Sequence, residues 1–452
     1  MSDQLFPYQR DGVEWLKNRK TALLADEMGL GKSAQAVTAA DAINAKRILI
    51  LCPAIARENW KREFALWTTT PRQFFKVEDR STPIPEDQSV ICSYDLAHST
   101  KIPGNFDLLI LDEAHYLKSV NTKRSKAVYG REGLVRRASK VWCLSGTPAP
   151  NHPGELWPLL YTFGATKLSY DDFIQRYCVG WHGPHGFAIT GSNSKNIPEL
   201  AQILKSIMLR RKKSEVMKDL PEIYFRSVLV PPGEVDLDIE SSFTKWVIPT
   251  DRKKELFDLM EKERMTVETL LNLTGDSTPG LRGLEALSPS VSTLRRYVGL
   301  QKVQAVAELV EQELSDFAYE KVVIFAIHRD VIEGLRTRLR KFGVVTLYGG
   351  HDPLKAYKNV EHFQKNPKIR VFVGNIISAG TAITLTAAHN VIFAEQDWVP
   401  GNNAQAAMRC HRIGQTNPVL VRIIGLENSF DERVNFLLKR KIKELTQLFE
   451  NP

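Results

Sequence analysis

Ten short apolar runs, in two series of five, alternate with stretches of helical character, and this alternation restricts the fold more than any other feature. The first series is TALLAD (21–26), RILILC (47–52), SVICSY (89–94), DLLILD (107–112) and VWCLSG (141–146). The second is KVVIFAI (321–327), VVTLYG (344–349), IRVFVG (369–374), NVIFAE (390–395) and VLVRIIG (419–425). Runs this short, rich in β-branched residues and leucine, read as strands covered on both faces. Helical segments between them, such as 34–45 and 330–341, supply the crossovers that parallel pairing needs. The fold class expected is therefore α/β, with two wound parallel sheets flanked by helices. At 452 residues the chain also exceeds what one core holds comfortably.

Residues 1–153 form the first expected domain and 301–452 the second. The intervening 154–300 reads as a helical elaboration and linker. It carries loop-like stretches at 180–186 and 273–280 and one strand-like run, YFRSVLVPP (224–232). A final amphipathic stretch, 428–445, is expected to pack back as a bracing helix.

The turn after the first strand, DEMGLGKS (26–33), is rich in glycine and opens a helix. A turn of this kind lines up backbone N–H groups against a phosphate chain. Lys32 would reach the β- and γ-phosphates, and the Ser33 hydroxyl would complete the coordination of Mg²⁺. The usual leading glycine is replaced by Asp26. At the end of the fourth strand, Asp112 and Glu113 open the string DEAH (112–115). There Asp112 would hold the metal and Glu113 would orient and deprotonate the attacking water. SGTPAPN (145–151) follows the fifth strand, either as a γ-phosphate sensor touching the facing domain or as a plain loop. In QAAMRCHRIGQ (405–415), Arg409 and Arg412 lie three apart, so a helix would present both on one face. They are either transition-state arginines facing the phosphate loop or a solvated pair.

Lys and Arg exceed Asp and Glu by 61 − 52 = 9, giving a pI near 9.1, which suits a polyanionic partner. Clusters such as Arg210-Arg211-Lys212-Lys213 concentrate the surplus, either for that partner or as solvated helix faces. Five dispersed cysteines without a C-x-x-C pair point to a reducing compartment and away from zinc. No apolar run approaches the roughly 18 to 20 residues of a bilayer span, so no membrane partner is expected.

In order, FPYQRDGVEWL (6–16), ADEMGLGKSAQA (25–36), LCPAIARENWKREF (51–64), DEAH (112–115), SGTPAPN (145–151), LRRKKSEVMKDLP (209–221), VVIFAIHRD (322–330) and DWVPGNNAQAAMRCHRIGQ (397–415) resemble the Swi/Snf-type helicase-like ATPases of superfamily two. The resemblance runs from Phe6 to about Leu448. It is similar in style to the annealing-helicase branch and to bare motors of bacteria and phage. It implies two RecA-like domains closing on ATP and Mg²⁺ while stepping along duplex or branched DNA. Gln9 would read the adenine edge; Gly29, Gly31, Lys32 and Ser33 would hold phosphates; Ser33 and Asp112 would hold the metal; and Arg409 and Arg412 would act as fingers. DNA contacts are implied at Asn59, Ser93, Ser378 and Trp398, with a buried aromatic as the other reading of Trp398. SAGTAITLT (378–386) lacks the doubled glycine and the arginine of many relatives, so Ser378 stands where an arginine often meets DNA.

The function expected is a DNA-dependent ATPase that translocates on duplex DNA in remodelling, repair or recombination. The chain is expected to be a monomer when free and to work in the cytoplasm on DNA (the host cytoplasm if viral). The alternatives are a fork-specific unwinding or annealing helicase and a non-motor nucleic-acid-binding module. Intact Lys32, Asp112, Glu113, Arg409 and Arg412 argue against the last.

Overall fold

The structure, a computed structural model, describes residues 5–183, 186–231, 288–350, 353–379, 383–397 and 399–427. Trp398, the 273–280 stretch and the 428–445 segment lie outside the described residues. Helix α1 (Pro7–Lys17) leads into β1 (Thr21–Leu24), α2 (Lys32–Ala42), β2 (Ile48–Cys52) and α3 (Ala56–Trp67). Strands β3 (Phe74–Lys76), β4 (Ser89–Ser93), β5 (Phe106–Asp112) and β6 (Ala138–Leu144) follow. Next come β7 (Cys178–Gly183), β8 (Gly186–Ser192), β9 (Met208–Leu209) and β10 (Ile223–Val230). The second half contributes β11 (Val322–Ala326), β12 (Val344–Leu347), β13 (Val371–Asn375), β14 (Asn390–Phe393) and β15 (Val419–Leu426).

Two parallel sheets result, ordered β3-β4-β2-β5-β6-β1-β9 and β10-β15-β14-β11-β13-β12. All ten apolar runs became strands, because both faces of each sheet are covered. In β2, Leu49 and Leu51 enter one core cluster while Ile48, Ile50 and Cys52 enter another. In β11, Val322, Ile324 and Ala326 face one core while Val323 and Phe325 face the other. A strand that alternates between two apolar layers has no polar face to reveal its period, which is why these runs are continuously apolar.

The stretch read as helical elaboration holds more strand than its periodicity suggests. Of the expected loop at 180–186, residues 180–183 and 186 pair in an antiparallel hairpin, β7 with β8, and 184 and 185 lie outside the described residues. Glycines 180, 183 and 186 gave it a loop-like composition, but cross-strand pairing overrides that weak local signal. Strand β9 adds to the first sheet beside β1, whereas β10 adds to the second beside β15. The chain therefore crosses from one sheet to the other between Leu209 and Ile223.

The strand ends set up the site. Asp112 is in register with Leu144, and Leu144 with Leu24, so β5, β6 and β1 finish flush at one edge. The turns that leave that edge are the phosphate loop, the acidic pair and SGTPAPN. Openings beyond the carboxyl ends of parallel strands are where ligands of such sheets bind.

Candidate functional site

The phosphate loop is built around two left-handed glycines. Gly29 has φ 87° and Gly31 φ 72°, so a side chain at either is strained. A Cβ on Gly31 would also lie 2.3 Å from Gln9 Nε2. Gln9 is buried, donates to the Leu30 carbonyl (3.2 Å) and accepts from the Phe6 N–H (3.0 Å), so its amide backs the loop. Helix α2 starts at Lys32 and points its N-terminus at the hollow. The Lys32 ammonium is folded onto the carbonyls of Asp26 (2.7 Å) and Glu27 (3.3 Å). Burial lowers its pKa, against the opposing pull of Glu113, Asp26 and Asp112. A polyphosphate would supply the counter-charge that this site only partly provides.

Asp26, the departure from the usual loop, points away from the hollow. Its carboxylate is fully buried and receives Arg211 Nε (2.9 Å), Arg211 Nη2 (2.5 Å) and Gln35 Nε2 (3.0 Å). Arg211 Nη2 also reaches Gln35 Oε1 (2.8 Å). Arg210 reaches the carbonyls of Ala25 and Gly146, and backbone bonds run from Ala25 N–H to Leu209 O and from Glu27 N–H to Arg211 O. Arg210 and Arg211 thus form an internal strap across the loop, neither a solvated face nor a polyanion surface. Asp26→Gly, which restores the ordinary loop glycine, should therefore destabilise the fold by about 3 kcal/mol by taking the carboxylate from the mostly buried Arg211 guanidinium. An unchanged urea midpoint for this variant would contradict that role.

On β5, Asp112 Oδ2 accepts from the Trp60 indole (2.8 Å), and Tyr94 donates to its main-chain carbonyl (2.7 Å). Burial first, and Glu113 second, raise the Asp112 pKa. A bound divalent cation would reverse that. Trp60 was legible only as part of the string LCPAIARENWKREF (51–64); that its indole fixes this carboxylate depends on a contact no spacing reveals. Glu113 is held at φ 50°, ψ 53°, a left-handed conformation unusual outside glycine that pivots its side chain into the cleft. Its Oε2 lies 3.4 Å from His115 Nδ1, which in turn lies 3.1 Å from Ser145 Oγ. Thr147 N–H donates to Ser145 Oγ, and Thr147 Oγ1 accepts from Gln405 Nε2 (2.9 Å) across the cleft. SGTPAPN therefore does touch the facing domain, and a Cβ on Gly401 would lie 2.8 Å from that of Pro150.

The second domain closes the cleft with Thr384, Arg409, Arg412 and Ile413, opposite Gly29, Gly31, Lys32, Ser33, Asp112 and Glu113. Arg409 is 2% exposed; burial lowers its pKa while Glu113 and Asp112 oppose the shift. Arg412 Nη1 donates to Thr384 Oγ1 (3.3 Å), and its Cγ lies 3.0 Å from where a Cβ on Gly29 would stand. The helical spacing expected of the two arginines is not what joins them. The helix ends at Ala407, and residues 408–414 form an irregular turn. Leu385 N–H bonds the Arg409 carbonyl there, and the Gln415 amide ties the carbonyls of Thr386, Ala388 and Cys410. These tertiary bonds outweigh a weak helix signal.

The donors suit the ion that the sequence implies. A hydroxyl and a carboxylate are hard oxygen ligands, and Mg²⁺ takes few from protein when phosphates supply the rest. Among the described residues no group of three or more His, Cys, Asp or Glu is placed to hold a metal ion.

A second cleft opens between the same two sheets. Pro53, Ile55, Tyr94, Asp95 and Tyr116 face Tyr348, Gly349, Gly350, Ile377 and Ser378. Ser378 is on this wall. Ser93 is not: it is 2% exposed and its hydroxyl caps the short helix Tyr94–Ala97 by accepting the Leu96 N–H, so its neighbour Tyr94 reaches the cleft instead. Asn59 lines the phosphate-side cleft and not this second one, one helical turn before Glu63. A Cβ on Gly350 would meet nothing within 4 Å, and one on Gly349 only Ser378 Oγ, leaving bare backbone on this wall.

Among known proteins, residues 8–274 match the SNF2-related domain and residues 301–414 the Helicase conserved C-terminal domain. The SWI/SNF-related matrix-associated actin-dependent regulator of chromatin subfamily A-like protein 1 homolog of Caenorhabditis elegans is 31% identical over 99% of this chain and 62% of its own length. The human DNA annealing helicase and endonuclease ZRANB3 is 27% identical over 97% of this chain and 40% of its own length. The chain thus spans less than two thirds of these relatives. A solved Sulfolobus solfataricus SWI2/SNF2 ATPase core in complex with dsDNA aligns over 98% of this chain and 93% of that one, with TM-score 0.43 and 23% identity. Among the described residues no helix is long and apolar enough to cross a membrane.

Proposed function

The chain belongs to the SNF2-related family, and on that premise we propose that it is a DNA-dependent ATPase that translocates on duplex DNA. One observation carries the reading: the phosphate loop and acidic pair of the first sheet share a single cleft with two arginines of the second. A site assembled from both domains is complete only when they close, so nucleotide turnover and domain movement are linked.

ATP would lie along the loop, its phosphates on the N–H groups of Gly29 to Ser33 and on Lys32 once that ammonium leaves its carbonyls. Ser33 and Asp112 would hold Mg²⁺, which supplies charge neutralisation at the phosphates. Glu113 takes a proton from the attacking water as its oxygen bonds the γ-phosphorus and the bond to the β–γ bridging oxygen breaks. ADP and inorganic phosphate leave. Arg409 and Arg412 offset the negative charge that spreads over the phosphoryl oxygens.

The second cleft is the proposed DNA track, with the bare backbone at Gly349 and Gly350 and the hydroxyl of Ser378 facing phosphates. Contacts of this type position the strand without reading its sequence. Opening and closing the first cleft shifts the two walls of the second relative to each other. Steady-state ATP turnover with and without linear duplex tests the reading. A second reading, annealing or remodelling of forked DNA, is favoured by the similarity to the human DNA annealing helicase and endonuclease. It predicts that forks stimulate turnover more than linear duplex of equal length.

A further inference from the structure

The strap over the phosphate loop continues past Arg211 to the other domain. Lys213 is 4% exposed, and its backbone N–H donates to Glu27 Oε2 at 2.7 Å, on the loop side. Its ammonium donates to the His411 carbonyl at 2.5 Å and lies 3.2 Å from Met408 Sδ and 3.4 Å from His411 Nδ1. His411 sits between the two arginines and is gripped a second time by the strap, through Nε2 and the Pro221 carbonyl at 2.6 Å. A carbonyl can only accept, so Nε2 carries the proton and Nδ1 is left as an acceptor facing Lys213. Lys213 Cε also lies 3.4 Å from where a Cβ on Gly29 would stand, beside the Arg412 Cγ.

We infer that Lys213 is a positioning residue: a strut that holds the Arg409–Arg412 turn at its working distance from the phosphate loop without touching nucleotide. The inference rests on the ATPase reading of the cleft. Three features carry it. The lysine leaves the edge of the sheet that bears the loop, and its own main chain is tied to Glu27 of that loop. Its charged end finds its acceptors on the turn that bears the arginines. A buried ammonium loses much of its hydration, so it stays where those acceptors are and spans the two bodies at a fixed length.

The test compares Lys213→Met, Lys213→Arg, Arg409→Ala and the Lys213→Met/Arg409→Ala double variant by kcat for ATP, with equilibrium binding of a fluorescent non-hydrolysable ATP analogue. Displacing a transition-state group by about 1 Å costs roughly 10²-fold, so Lys213→Met should lower kcat on that scale while analogue affinity changes less than about threefold. Lys213→Arg, which keeps a cationic donor, should recover part of the loss. The double variant should lose less than the product of the two single losses, because the strut acts through the turn that carries Arg409 as well as Arg412. Losses that multiply in the double variant, an unaltered kcat in Lys213→Met, equal defects in the Met and Arg variants, or loss of analogue binding would each overturn the strut. If Arg409→Ala itself leaves turnover intact, the ATPase reading of the cleft falls and the strut falls with it. That failure is visible without Lys213.

Discussion

Arg409→Ala should lower kcat for ATP by about 10³-fold while ATP binding persists. Arg409 is carried by a turn of the second domain, yet the charges that act on it are those of Glu113 and Asp112 in the first. It is 2% exposed, so its guanidinium would meet a transferring phosphoryl group with little water between them. Charge neutralisation is worth most in such a setting. Lysine at this position does not substitute well, because a point charge on a flexible stem lacks the planar fork of donors. Measured by single-turnover hydrolysis, the loss should fall on the chemical step. A defect confined to KM would instead make Arg409 a ground-state binder.

Glu113→Gln is the second large effect. The amide keeps the size of the side chain and the strained left-handed backbone of residue 113, but it cannot accept the proton of the attacking water. Loss of a general base costs about 10² to 10⁴ in rate, so hydrolysis should fall by at least about 10²-fold. Equilibrium affinity for ATP should hold or tighten, since one negative charge has been removed beside a polyphosphate. Residual turnover within tenfold of the unaltered chain would assign the water-orienting role to another residue. His115 is the nearest candidate on the same strand end, and burial lowers its pKa, keeping it neutral.

Both predictions lean on features that the sequence displayed openly. Short apolar runs identified all ten strands they mark, because a parallel strand covered on both faces leaves a continuous apolar trace. Strand β3, with half-buried residues throughout, and the two-residue β9 left no such trace. The hairpin of β7 and β8 was masked by its glycines. Strand β10 was legible as a strand, but its sheet was not: parallel pairing with β15 joins residues nearly two hundred positions apart, and nothing local encodes that choice.

The site shows the same division. Lys32, Ser33, Asp112, Glu113, Arg409 and Arg412 were named by residue type and by place in the strand order, and they line one cleft. The route was wrong for the arginines, which meet through a turn tied by tertiary bonds and not through a helix face. What stayed hidden were residues whose work is done through distant partners. Asp26 reads in the sequence only as a replaced loop glycine, and its role appears with Arg211 placed on it. The basic run 210–213 reads as surface charge, yet Arg210, Arg211 and Lys213 reach inward. Trp60 became informative only once its indole was seen on Asp112. Side chains that hold other side chains carry no chemistry of their own in their sequence context, so only packing reveals them.

The central claim is that nucleotide turnover in the first cleft is coupled to DNA held in the second. Steady-state ATP hydrolysis, measured on the unaltered chain with and without linear duplex DNA at low salt, tests that most directly. The account predicts strong stimulation by duplex that declines as salt displaces phosphate contacts. Equal turnover with and without DNA would contradict it.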